Sequence, residues 1–119
     1  ETFNYVMSIS RTELIRAIDR TTFIRSDNMS INRLQCSSEE VVLTSKSQEI
    51  GESREILPAV FTGDDLDISF SGNYVIEAAR ALKGDNITLN FSGDMRPFIL
   101  KDEGDESVIQ LVLPLRTYN

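Results

Sequence analysis

Three groupings of side chains in this sequence could do chemistry. The first is acidic: Asp64, Asp65 and Asp67, then Asp102, Glu103, Asp105 and Glu106. A divalent cation needs clustered carboxylates, but neither run has the calcium-loop spacing with its closing Glu, and both lie among turn-forming residues. They read as polar turns, so no metal site and no cofactor is expected. Glu49 and Glu52 could pair as general acid and base if a cleft enclosed them, although only the presence of the acids supports this. The second grouping is basic. Arg16 and Arg20 are four apart and Arg80 and Lys83 three apart, so on helices each pair shares a face, with Arg11 about a turn and a half before Arg16. Such stripes can meet phosphates, and they serve equally as solvated helix faces. The third is Cys36, the only cysteine, on the same strand face as Leu34 and so expected to be a small buried hydrophobe.

What is missing narrows the chemistry further. The chain has no histidine, so Ser-His-Asp triads, Cys-His dyads and the usual zinc sets cannot be assembled from it. A lone cysteine rules out an internal disulfide and points to a reducing, cytoplasmic setting. The formal charge of -7 argues against bulk attraction to nucleic acid, leaving only local, weak contacts. No apolar run approaches the roughly 18 residues of a membrane span, so no membrane partner is expected. The 119 residues suit one domain, 40% hydrophobic and 26% charged, as in an ordinary globular protein. The start at Glu1 instead of Met favours a fragment of something longer.

The elements that position these residues come as a repeat. Ser8 to Ile18 aligns with Ser69 to Ala79, an offset of 61 residues taking Ser8 to Ser69. In each copy an alternating strand (Phe3, Tyr5, Met7, Ile9; then Leu66, Ile68, Phe70) runs into a Ser placed to cap a helix, Ser10 or Ser71. Glu13 completes a capping box with Ser10, and the second copy lacks that acid. The spacing predicts helices over Arg11–Thr22 and Gly72–Leu82, the second stopped by a left-handed Gly84. Strands are predicted over Ile31–Ser37, Val41–Ser45 and Ile56–Thr62, then Ile87–Ser92, Phe98–Lys101 and Val108–Leu115. The expected fold is α+β: one domain over residues 1–119, built from a β-α-β-β-β unit repeated over about 3–62 and 63–118, with both helices on one side of antiparallel sheets.

A twice-repeated strand-helix-three-strand unit closing on Gln110-Leu111-Val112-Leu113-Pro114-Leu115-Arg116-Thr117-Tyr118 resembles the third domain of the bacterial DNA sliding clamps, the beta subunits of DNA polymerase III. Met95-Arg96-Pro97-Phe98 and Asp67-Ile68-Ser69-Phe70-Ser71 carry the likeness with that string, and together they resemble the clamps of Gram-positive bacteria. The resemblance implies the DNA clamp fold and a non-catalytic accessory part of a homodimeric ring around duplex DNA, with helices lining the hole. Its implied partners are duplex DNA, held weakly and without sequence preference, and the polymerase catalytic subunit and clamp loader, docked through short peptides.

Residue by residue, the resemblance implies a peptide groove of Ser71, Tyr74, Met95, Pro97, Leu113, Pro114, Leu115 and Arg116, its other half coming from a second domain that this chain does not match. The residue types suit such a groove, since Met is adaptable, Tyr is an apolar wall with a polar tip, and Arg can pair with an acid or a carbonyl. The tail through Thr117, Tyr118 and Asn119 is longer than in some relatives, so a different groove rim is expected. The resemblance also implies that Arg11, Arg16, Arg20, Arg80 and Lys83 face DNA, and that Phe23 and Ile24, with Glu49, Glu52 and Glu55 nearby, meet a neighbouring subunit. On chemistry alone Tyr74 and Leu113 read first as core residues and the basic stripes as solvated faces, while Phe23 and Ile24 are as readily a buried helix end as an interface. A duplicated α+β binding module unrelated to replication is the alternative reading of the whole.

Overall fold

A computed structural model describes residues 3–22, 31–47 and 51–115. Eleven elements follow one another among these residues: β1 (Tyr5–Ser10), α1 (Arg11–Thr22), β2 (Ile31–Cys36), β3 (Val41–Ser47), β4 (Gly51–Leu57), β5 (Ala59–Thr62), β6 (Leu66–Ser71), α2 (Gly72–Arg80), β7 (Asn86–Phe91), β8 (Phe98–Asp102) and β9 (Asp105–Val112). The repeat is visible in the bounds, since the offset that carries Ser8 to Ser69 carries β1 onto β6 and the start of α1 onto that of α2.

The strands form two antiparallel sheets, ordered β5-β1-β7-β8-β9 and β4-β3-β2-β6. The two halves exchange their first strands. β1 pairs with β7 of the second half (Met7 opposite Leu89), and β6 pairs with β2 of the first (Leu34 opposite Ile68). Each meander is therefore completed by a strand from the other copy, and neither half holds its sheet alone.

The strand expected over Ile56–Thr62 is instead the end of β4, which begins five residues earlier at Gly51, followed by a separate β5. Pro58 lacks the N–H that a continuous ladder would use, and around it the chain leaves one sheet for the other: Leu57 faces Val41 on β3, while Ala59 faces Ile9 on β1. The second helix also ends earlier than expected, at Arg80. Its C-cap, Ala81, keeps helical angles (φ -75, ψ -13), and Gly84 is not left-handed; positive φ occurs at Gly63 and Gly104. Asp102 closes this end instead, its carboxylate accepting the N–H groups of Gly84 at 2.8 Å and Lys83 at 3.4 Å. At the other helix start, Ser10 behaves as predicted: its Oγ accepts the Glu13 N–H at 3.3 Å. Ser71 does not, since α2 has no side-chain cap hydrogen bond.

One buried cluster joins both sheets to both helices. It contains Met7 and Ile9 of β1, Leu14 and Ile18 of α1, Leu34 of β2, Leu43 of β3, Ile68 and Phe70 of β6, Val75 and Ala79 of α2, and Phe91, Phe98 and Leu100 of β7 and β8. The alternation of period two in β2, β6, β7 and β8 sends these side chains inward. Phe98 sits at the junction, edge-on to Phe70 of the other sheet with centroids 6.1 Å apart, and tilted against Phe91 at 4.9 Å. The helices run antiparallel. Arg11 at the start of α1 donates through its backbone N–H to Asp85 O (2.8 Å) and through Nε to Gly84 O (2.9 Å), just past the end of α2. At the opposite end, Gly72 opens α2 against Ile18 and Asn32, leaving no room for a side chain.

Cys36 is buried, as its strand face predicted, at 3% exposure. Burial, with the Asp67 carboxylate adding to it, pushes the thiol from 9.0 up to about 12. The folded state thus favours the protonated thiol, so this contribution to stability is intact below pH 9 and is lost as the pH rises from 9 towards 12. Near pH 8 the buried thiol carries far less thiolate than a free one. Cys36 in the native chain should therefore react with a thiol reagent at least two orders of magnitude more slowly than in the urea-unfolded chain; equal rates would show that the site is open.

Candidate functional site

The repeat brings two surfaces into being, an apolar one near the chain's end and a charged one on the helices. The apolar surface forms where β6 passes into α2. Phe98 pairs with Val112, so the segments at Pro97 and Leu113 leave the β8–β9 ladder side by side. The tail then crosses to the other sheet, where the Leu115 N–H donates to Ser69 O at 2.8 Å, two residues before Ser71. β6 is the outer strand of its sheet, so this bond satisfies part of an otherwise unpaired edge.

Large apolar side chains remain exposed here: Tyr74 at 61%, Leu113 at 62% and Met95 at 48%. The core alternative for Tyr74 and Leu113 is thereby corrected, because both side chains lie largely in solvent while the core cluster is buried. Pro97 is exposed, and Ser71, Pro114 and Leu115 are half-buried. Met95 and Leu115 line one cavity of about 230 Å3. Met95 and Leu115 thus share a cavity and Pro97 and Leu113 flank one strand pair, while Arg116 lies outside the described residues.

The charged surface lies on the helices. Residues 11–22 and 72–83 hold five basic and three acidic side chains, against 12 and 19 in the whole chain. Arg16, Arg20, Arg80 and Lys83 are exposed. Several of these charges also have partners within the domain. Arg20 forms a fork with Glu55, its Nε donating to Oε1 at 3.1 Å and its Nη2 to Oε2, and this bond raises the guanidinium pKa. Arg80 approaches Asp19 across the helix pair at 4.0 Å. Arg11 is half-buried, with its Nε held by Gly84 O. Arg16 and Lys83 have no ion-pair partner among the described residues.

Of the residues named for contact between subunits, Phe23, Ile24 and Glu49 lie outside the described residues. Glu52 and Glu55 are on β4, the outer strand of its sheet, Glu52 exposed and Glu55 half-buried against Arg20. The acidic turns have structural uses: Asp67 pairs with Arg33, Asp102 closes α2, Glu106 pairs with Lys101, and Asp105 accepts the Ser107 N–H at 3.0 Å, which lowers its carboxyl pKa. Among the described residues no three potential metal ligands stand together, and no helix is long and apolar enough to cross a membrane.

Two features escaped the sequence reading. Arg33 and Asp67 form a fork across β2 and β6; they are 34 residues apart, and only register aligns them. β9 exposes Val108 (46%), Ile109 (49%) and Leu111 (66%) on the outer strand of the five-stranded sheet. Consecutive apolar residues in a strand predict burial on both faces, and here they lie at an edge.

Exchanged strands, two helices, exposed apolar side chains near the C-terminal tail and a helix pair richer in basic than in acidic residues define this α+β domain. Comparison with known proteins places it more narrowly. Residues 1–116 match the family DNA polymerase III beta subunit, C-terminal domain. The beta sliding clamp of Staphylococcus aureus is 39% identical over 120 residues, covering 99% of this chain and 32% of that protein; that of Staphylococcus epidermidis is 38% identical with the same coverage. Among solved structures, the DNA polymerase sliding clamp from Bacillus subtilis superposes with a TM-score of 0.92 at 34% identity, over 99% of this chain and 32% of that one. The chain belongs to the family formed by the C-terminal domains of DNA polymerase III beta subunits. It spans about a third of the length of the sliding clamps it matches, and these relatives agree with the Gram-positive character of its motifs. The fold class expected from sequence, α+β with two antiparallel sheets, is that of these structures.

Proposed function

We propose that this chain is the docking portion of a replication processivity clamp: it captures short peptides of polymerase and clamp-loader proteins while its helix face lies toward duplex DNA. The observation carrying this reading is the exposure of Tyr74, Met95 and Leu113 around the point where the tail crosses to Ser69. Isolated exposed apolar residues are ordinary, but an adaptable Met, an aromatic ring and a Leu left exposed on the segments that flank the tail crossing suit a peptide's apolar anchor. The work is tethering, which raises a polymerase's local concentration at the primer end without any reacting group.

The helix face supports the second half of the reading. Arg16 and Lys83 supply charge for phosphates, and Arg20 and Arg80, balanced by Glu55 and Asp19, moderate it. A ring that must slide profits from weak, sequence-independent attraction, since each firmly held phosphate slows movement. Phe23 and Ile24, with Glu49, Glu52 and Glu55, are proposed to meet a second subunit in a homodimer, and the exposed apolar residues of β9 to be covered by an adjoining domain.

The test is a fluorescence titration of a labelled Gln- and Leu-rich peptide into this chain and its Tyr74→Ala variant. Saturable binding weakened about 10-fold or more by the loss of the aromatic wall is expected, as for a central contact residue. Binding that ignores Tyr74, or no binding, would overturn the assignment of the groove.

A further inference from the structure

Met95 and Leu115 do not simply end the groove, because the cavity of about 230 Å3 that they line continues into a polar wall formed by Arg33, Asp67, Ser69 and Asp94. The charges on that wall differ in what they have left to offer. Arg33 donates from Nε and Nη2 to the two carboxylate oxygens of Asp67 at 2.6 and 2.5 Å, so each matches the other, and the bond raises the arginine pKa. Asp94 has neither a hydrogen bond nor an ion pair among the described residues. The nearest basic residue in its turn, Arg96, lays its stem over Gly93 and is not part of the cavity wall. The cavity therefore combines an aliphatic side, an internally neutral pair and one unmatched negative charge.

We infer that this cavity is a selectivity subsite of the docking groove, taking a Lys or Arg that flanks the apolar anchor of a bound peptide. The flexible stem of such a residue packs against Met95 and Leu115, and its cationic head reaches Asp94. An acidic flank would meet Asp94 as a like charge and is selected against, so the site discriminates by repulsion as well as attraction. One unmatched carboxylate does not hold a metal ion, which needs several oxygen ligands. The inference rests on the docking role proposed above.

Three peptides sharing one Gln- and Leu-rich core, with Lys, Ala or Glu as the flanking residue and made in versions for either end, separate the two ideas. Their dissociation constants would be measured at low ionic strength on the chain and on its Tyr74→Ala, Asp94→Asn and Asp94→Lys variants. At one of the two ends, affinity is expected to fall from Lys to Ala to Glu by about 3-fold per step, the scale of an exposed charge pair. Asp94→Asn should level the series, Asp94→Lys should reverse it, and added salt should compress it. Equal affinities for all three flanks, with binding still dependent on Tyr74, would overturn the subsite and leave the groove standing. An order that persists in Asp94→Asn would overturn it too, and no Tyr74-dependent binding of any peptide would overturn both proposals.

Discussion

Phe98→Ala should cost about 4 kcal/mol of unfolding free energy, in the range for truncating a fully buried aromatic side chain. Phe98 is 0% exposed and bridges the two sheets, touching Phe70 on β6 and Phe91 on β7. Most core residues can be compensated by relaxation of one neighbouring element. Here relaxation would have to draw together two sheets that are each held by a strand from the opposite half, so much of the cavity should persist. At roughly 4–8 °C per kcal/mol for domains near this size, the midpoint of thermal unfolding should fall by at least about 15 °C. A loss under about 1 kcal/mol in denaturant titration would mean that the sheets are not coupled through this ring.

The second large effect is expected where the helices meet. Gly72→Ala should destabilise the chain by about 3 kcal/mol, near the upper end of overpacking costs, although alanine is the better helix former by about 1 kcal/mol. The added Cβ would collide with Asn32 Oδ1 and lie 2.8 Å from Ile18 Cγ2. Asn32 is 0% exposed, and its Nδ2 donates to Thr21 Oγ1 at 3.3 Å, so moving it disturbs buried polar contacts. A double-mutant cycle with Asn32→Ala should recover part of the loss, giving a coupling of about 1 kcal/mol or more. Additive effects of the two substitutions would place the strain elsewhere. Tyr74 follows Gly72 by two residues on the same helix, so peptide affinity should weaken along with stability.

Much of the scaffold was legible. The bounds of α1 fell where the spacing of Leu14, Ile15 and Ile18 placed them, and the Ser10 half of the expected capping box forms because it needs only residues three apart. The break at Pro58 had a visible cause, the missing N–H, but the run of apolar residues around it hid the change of sheet. Ser71 imitates Ser10 in sequence without capping, and Gly84 gives way to Asp102. In both cases a local signal was present while the atoms that decided the outcome lay elsewhere in the chain.

The candidate site divides in the same way. Tyr74, Met95 and Leu113 could be named from motifs, but whether they were core or surface depended on what the rest of the fold left uncovered. The basic residues could be named from helical spacing, whereas Glu55 beside Arg20 and Asp19 beside Arg80 depended on how β4 and the two helices pack. By itself the sequence determined the family, the first helix with its Ser10 cap and most of the strand positions, because these follow from residue types at short, regular separations. Only the tertiary structure decided the exchange of first strands, the pairing of Arg33 with Asp67 and the unmatched charge of Asp94. Those outcomes depend on the register between strands distant in the chain, which short-range spacing does not encode.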